Sequence, residues 1–113
     1  MFDKIRALYG LMGNMPKIRE EMEKLQESLG RIVSEGDAGA GMVKVRVNGH
    51  MEVLTVKLSD DALKLNDREM LEDLLRAAVN QALQKSRQAV AEETGKMAGS
   101  LGLPPGMGLP GLG

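Results

Sequence analysis

The stretch VKVRVNGHMEVLTVKL, residues 43–58, is the part of this chain that can fold in the fewest ways. Val43, Val45 and Val47 alternate with Lys44 and Arg46, and a period of two is a strand with one dry and one wet face. Asn48-Gly49 then supplies a hairpin turn, because both residues tolerate positive φ. Burial selects the register. A two-residue turn would put Val45 opposite Glu52. A four-residue loop, Asn48 to Met51, puts Val45 opposite Leu54 and Val43 opposite Val56, and is the expected one. One face then carries Val43, Val45, Val47, Leu54, Val56 and Leu58. The other carries Lys44, Arg46, Val53, Thr55 and Lys57.

Helical patterns flank this hairpin. Before it, Leu8, Met15, Met22 and Leu29 recur every seven residues, with Leu11, Ile18, Leu25 and Ile32 as a second series. Together they are the a and d positions of a heptad repeat. So narrow a seam asks for a partner helix, and Leu11, Ile18, Met22 and Leu25 are expected in the seam of a homodimer. Spaced pairs such as Glu20 with Lys24 and Lys17 with Glu21 favour the helix. Pro16, after Gly10 and Gly13, interrupts it, since a proline inside a helix costs about 3 kcal/mol or more. Either the helix bends near Met12 to Pro16, which the unbroken register favours, or a short segment ends near Gly10 and the main helix starts at Pro16. The helix should end near Gly30.

RIVSE, residues 31–35, reads as a short strand, and GDAGAG, 36–41, as a loop. That loop lacks the Lys and Ser/Thr of a phosphate cradle. After the hairpin, Ser59-Asp60-Asp61 opens a brief helical turn ending near Leu65. Asn66, with Glu69 three residues on, resembles the capping box of a second long helix. Its apolar stripe runs from Leu71 through Leu74, Leu75, Ala78, Val79, Ala82 and Leu83 to about Met97, and its alanines suggest close helix packing. The order is α-β-β-β-α, an α+β domain over residues 1–98. A flexible Gly/Pro-rich tail follows at 99–113, GSLGLPPGMGLPGLG.

With 113 residues the chain reads as one domain. One Phe, one Tyr and no Trp leave an aliphatic core with nine Met as adaptable filler. So modest a core gains from dimerisation. The absence of cysteine excludes disulfides, thiolate metal sites and a Cys nucleophile. The N-terminus lacks the apolar core of a signal peptide, and no run approaches the roughly 20 apolar residues of a membrane span. A soluble, cytoplasmic protein is expected. His50 stands alone in the hairpin loop. In the doublets Asp60-Asp61, Glu72-Asp73 and Glu92-Glu93 the adjacent members cannot face each other on a helix. No catalytic, metal, cofactor or small-molecule site is expected, and hence no enzyme.

The net charge of −1 hides segregation. Lys4, Arg6, Lys17 and Arg19 face only Asp3 in the first 19 residues, a balance of +3. Lys85 and Arg87 stand in a stretch with no acid between Asp73 and Glu92. Lys44, Arg46 and Lys57 share the wet strand face. Acids gather at 20–27 and 60–73.

The fragments DREMLEDLLRAAVNQAL (67–83) and LPPGM (103–107), the MF start, GAGMVKVRVNG (39–49) and VLTVKLSD (53–60) recur here in the order and spacing of a known family. The chain resembles the YbaB/EbfC family of nucleoid-associated proteins. The resemblance implies an intertwined, tweezer-like homodimer whose small antiparallel sheet lies between two long helices. It further implies a cytoplasmic, nucleoid-associated protein that binds double-stranded DNA with broad sequence preference, without cofactor or catalysis. Pro16 departs from the family's usual Gln-rich first helix, and Met51 stands where relatives often have a small residue. On the exposed helix ends that project as arms, Lys4, Arg6, Lys17, Arg19, Lys85 and Arg87 are the expected phosphate contacts, with Lys44 and Arg46 next. The alternative is a protein-interaction module that uses the heptads and the apolar tail.

Overall fold

The structure is a computed structural model that describes Gly13 and residues 15–102. Its elements are α1 (Met15–Arg31), β1 (Val33–Ala38), β2 (Val43–Asn48), β3 (Val53–Leu58), α2 (Asp60–Lys64) and α3 (Arg68–Ser100). The expected α+β order is present, with an antiparallel sheet in the order β1-β2-β3. The course of the chain through Met12, the tail from residue 103, and Lys4, Arg6 and Leu11 lie outside the described residues. Pro16 lies within the helix, and Gly13, three residues before it, is helical as well.

α3, with 33 residues, is about 50 Å long. It joins two packing regions in a molecule of 70 × 22 × 16 Å. Its first half lies over β1 and β2. There Val43, Val45 and Val47 rest fully buried against Ala78 and Ala82, ringed by Leu71, Leu74, Leu75, Val79 and Leu83. Each buried valine is worth about 1.5–3 kcal/mol. The second half of α3 meets α1. Leu25, Leu29 and Met97 form a second buried cluster, with Met22, Ile32, Val90 and Leu101 around it. In the C-terminal half of α1 the partner that the heptad seam requires is thus α3 of the same chain. The buried Ser86 hydroxyl lies between the two regions and donates to the Asn48 carbonyl at 2.7 Å.

Four local expectations are corrected. First, β1 runs through Gly36 to Ala38, well into the stretch read as loop. Gly36 lies directly against α3: a Cβ there would fall on the Ala78 carbonyl oxygen and within 2.6 Å of the Ala82 nitrogen. The glycine marks close backbone approach rather than a turn. Second, the hairpin register differs by two residues. Val45 faces Val56, Val43 faces Leu58, and a bulge follows at Arg46/Val47. Asn48 organises a longer loop. Its Oδ1 accepts from the backbone N–H groups of His50 (2.9 Å) and Glu52 (3.1 Å), and its Nδ2 donates to Glu52 Oε1 at 3.2 Å. Third, Ser59 caps α2 as expected, but α3 is capped by Asp67, whose carboxylate accepts from Met70 N at 3.1 Å. Asn66 instead takes φ +49°. Fourth, α3 continues past Met97 to Ser100, and Leu101 packs on the second cluster.

The two sheet edges differ. On β1, the outward backbone groups of Asp37 and Glu35 are engaged by α3. Asp37 N donates to Gln81 Oε1 at 2.7 Å, and Lys85 Nζ donates to Glu35 O at 3.0 Å. On the other edge β3 lies beyond α3, and all six of its residues are exposed. Leu54, Val56 and Leu58, expected in the core, keep 47%, 49% and 38% of their surface exposed.

Candidate nucleic-acid interface

An exposed Lys or Arg that no neighbouring carboxylate holds meets a phosphate most readily, because even a weak surface pair must first be given up. Along α1, Lys24 pairs with Glu20 and with Glu21 at 3.6 Å each, and Arg31 pairs with Glu27 at 3.8 Å. The expected Lys17–Glu21 pair does not form, because Glu21 turns to Lys24. Lys17 and Arg19 are exposed and have no carboxylate within 4.0 Å among the described residues.

On α3, Arg87 is likewise exposed and unpaired among the described residues, whereas Lys85 holds the edge of β1. The two basic pairs are not adjacent within one chain. Leu29 O accepts from Gly49 N at 2.9 Å, and Ser86 reaches the neighbouring Asn48 carbonyl. The end of α1 and the middle of α3 therefore meet at one corner of the hairpin loop. Arg19 lies ten residues before Leu29, about 15 Å along the helix.

Lys44 and Arg46 stand on the sheet face opposite α3, and both are exposed. Arg46 Nε donates to Glu35 Oε2 at 3.0 Å, which offsets its charge. Lys44 faces Lys57 directly across the strands. The sequence places both lysines on the wet face, but the register expected from it puts Thr55 opposite Lys44.

Of the residues expected in a dimer seam, Leu25 is only 4% exposed, already covered within its own chain. Ile18 and Met22 are half-buried. The larger apolar surface is elsewhere, on β3 and on the exposed Leu63 and Met70.

His50 is exposed in its loop, and a depression of about 400 Å³ is lined by Asp67, Glu69, Met70, Asp73 and Leu74. Of those carboxylates, Asp67 caps α3 and Asp73 pairs with Arg76 at 3.2 Å. Among the described residues no group of three His, Asp or Glu side chains is placed to hold a metal ion, and no helix is long and apolar enough to cross a membrane.

Known proteins resemble this chain in sequence and, in one solved structure, in fold. The model of the YbaB/EbfC DNA-binding family matches residues 5–101. A nucleoid-associated protein of Syntrophobacter fumaroxidans is 45% identical over 101 residues, covering 89% of this chain and 91% of that protein. One from Pelotomaculum thermopropionicum is 39% identical over 94 residues, covering 83% and 90%. The crystal structure of the uncharacterized protein HP0035 from Helicobacter pylori superposes with a TM-score of 0.61 at 26% identity, covering 80% of this chain and 91% of that one. A match over nearly the whole chain, together with relatives 39% and 45% identical over most of its length, makes this protein a member of the YbaB/EbfC DNA-binding family.

Proposed function

We propose that the protein is nucleoid-associated and binds double-stranded DNA as a homodimer, mainly through phosphate contacts and with broad sequence preference. The observation that carries this is the pair Lys17 and Arg19, exposed and without a carboxylate partner on a helix whose other bases are paired. Arg87, Lys44 and Arg46 add to it, and Lys85 retains donors beyond the one given to Glu35. Lys4 and Arg6 extend the basic set by sequence. With no Trp, one Phe and one Tyr, base stacking is scarcely available. Backbone contacts carry little base identity, which accounts for broad preference.

The dimer is supported by the bare flank of β3. Leu54, Val56 and Leu58 share the sheet face of the buried valines yet stay exposed beyond α3. A second copy that covers this flank would complete the core. A heterologous protein partner is the competing occupant, favoured by the acidic surroundings of the exposed Leu63 and Met70.

Titration of a random duplex across salt tests the reading. The log of affinity falls with the log of salt by about 0.9 per phosphate neutralised, so four to six contacts give a slope of about −4 to −5. Replacing Lys17 and Arg19 with Ala should flatten the slope and weaken binding to every sequence equally. No retardation at low salt by a protein that sediments as a folded dimer would overturn the DNA reading. A folded monomer at micromolar concentration would overturn the homodimer.

A further inference from the structure

The solvent face of the sheet holds an arrangement that works against its own stability. Lys44 on β2 and Lys57 on β3 are direct cross-strand partners. Their Cβ atoms are therefore about 5 Å apart, and like charges so placed repel. Both are exposed, and neither has a carboxylate within 4.0 Å among the described residues.

Two acids lie nearest in register. Asp37 is opposite Lys44 on the β1 side; its Oδ1 accepts from Gly41 N at 2.9 Å, which holds it more than 4.0 Å from the ammonium without cancelling its charge. Glu35 lies opposite Arg46 and pairs with it. One cross-strand row thus pairs Arg46 with Glu35, and the next sets one acid, Asp37, against two cations, Lys44 and Lys57, leaving an excess positive charge. α3 covers the opposite side of β1 and β2, and among the described residues both Lys44 and Lys57 are exposed on the free face.

We propose that Lys44 and Lys57 form a seat for a DNA backbone phosphate, with Arg46 beside it, so that the sheet face as well as the helices touches the duplex. The assignment rests on the DNA-binding reading above and extends it to a residue, Lys57, outside the helical arms. A bound phosphate places its negative charge between the two cations and turns their repulsion into joint attraction. The chemistry is ionic, so it selects the backbone and not the bases.

Lys57→Glu tests this with two readouts that move in opposite directions. The introduced carboxylate would face Lys44 as an opposite charge, so the melting temperature should rise by about 2 °C. Affinity for a random duplex at low salt should fall about tenfold, and the salt slope should lose about 0.9 for each phosphate contact removed. Lys96→Glu makes the same charge change on α3, away from the sheet, and should lose much less affinity. If Lys57→Glu is poorly folded, Lys57→Gln gives the same slope readout without reversing the charge. Unchanged affinity and slope in Lys57→Glu, with the wild type still salt-sensitive, would overturn the seat and leave the DNA reading intact. So would an equal loss in Lys96→Glu, which would make net charge alone the determinant. Inorganic phosphate at constant ionic strength that competes as strongly as the substitution would point to a small-anion site and also overturn it. No duplex binding by the wild type would remove both this assignment and the DNA reading.

Discussion

The two halves of α3 are packed by opposite means. Its first half meets the sheet through the smallest residues available. Gly36, Ala78 and Ala82 bring backbone against backbone, and Val43, Val45 and Val47 are sealed completely. Its second half meets α1 through Leu25, Leu29, Met97, Met22 and Leu101, long side chains that hold two helices apart. Short side chains against a flat sheet leave no room for adjustment. The two methionines, Met22 and Met97, are unbranched and can change rotamer to refill a gap. One stretch of helix is thus clamped at one end and cushioned at the other. The helical arm with Lys17 and Arg19 is attached to the cushioned end.

The strongest way to break the clamp is Gly36→Val. The added carbons would meet α3 backbone, which cannot rotate away as a side chain can. We expect a loss of more than about 3 kcal/mol, seen as absence of a cooperative thermal transition by circular dichroism. Val45→Ala, at a fully buried position, should cost about 3 kcal/mol and lower the urea midpoint of the whole domain. Met97→Ala in the cushioned half should cost about 2 kcal/mol, the low end for such truncations. Its signature should also be local. Amide exchange should accelerate in residues 90–101 while residues 43–47 stay protected. Equal acceleration in both would mean that the two regions unfold as one unit. The smallest effect is expected at Met51, held at φ +61° in the loop that touches both regions. Met51→Gly relieves a left-handed conformation that costs a side chain about 1–2 kcal/mol, against about 0.4–1 kcal/mol of added chain entropy. A net gain of about 0.5 kcal/mol should appear as a slightly higher midpoint for both regions.

Much of the fold was legible because it rests on local rules. The alternation of Val43 to Val47, the Ser59 cap and the stripe from Leu71 to Leu83 each declare an element within a few residues. What was hidden depends on contacts distant in sequence. Gly36 reads as a turn residue until α3 is seen lying on it. The hairpin register turned on the side chain of Asn48, whose three hydrogen bonds lengthen the loop. That shift also decided what was visible of the candidate interface. The shorter loop sets Lys44 beside Thr55, and only the observed register brings Lys57 to it. On the helices, charge alone singled out Lys17 and Arg19 as candidates, but the spacing also paired Lys17 with Glu21, which turns to Lys24 instead. The engagement of Lys85 with Glu35 was not, because β1 was expected to end before Gly36.

That engagement has a further consequence. Gln81 and Lys85 occupy backbone groups that another strand would need on the β1 side, so β1 is a poor template for extension. Sheet growth in this protein is therefore one-ended. If two molecules ever join strand to strand, they must do so through β3, and the joined pair then shows only blocked margins to the solution. Such a reaction stops after a single addition. The two side chains act as chain terminators, and the route from a crowded solution to a fibre is closed at its second step.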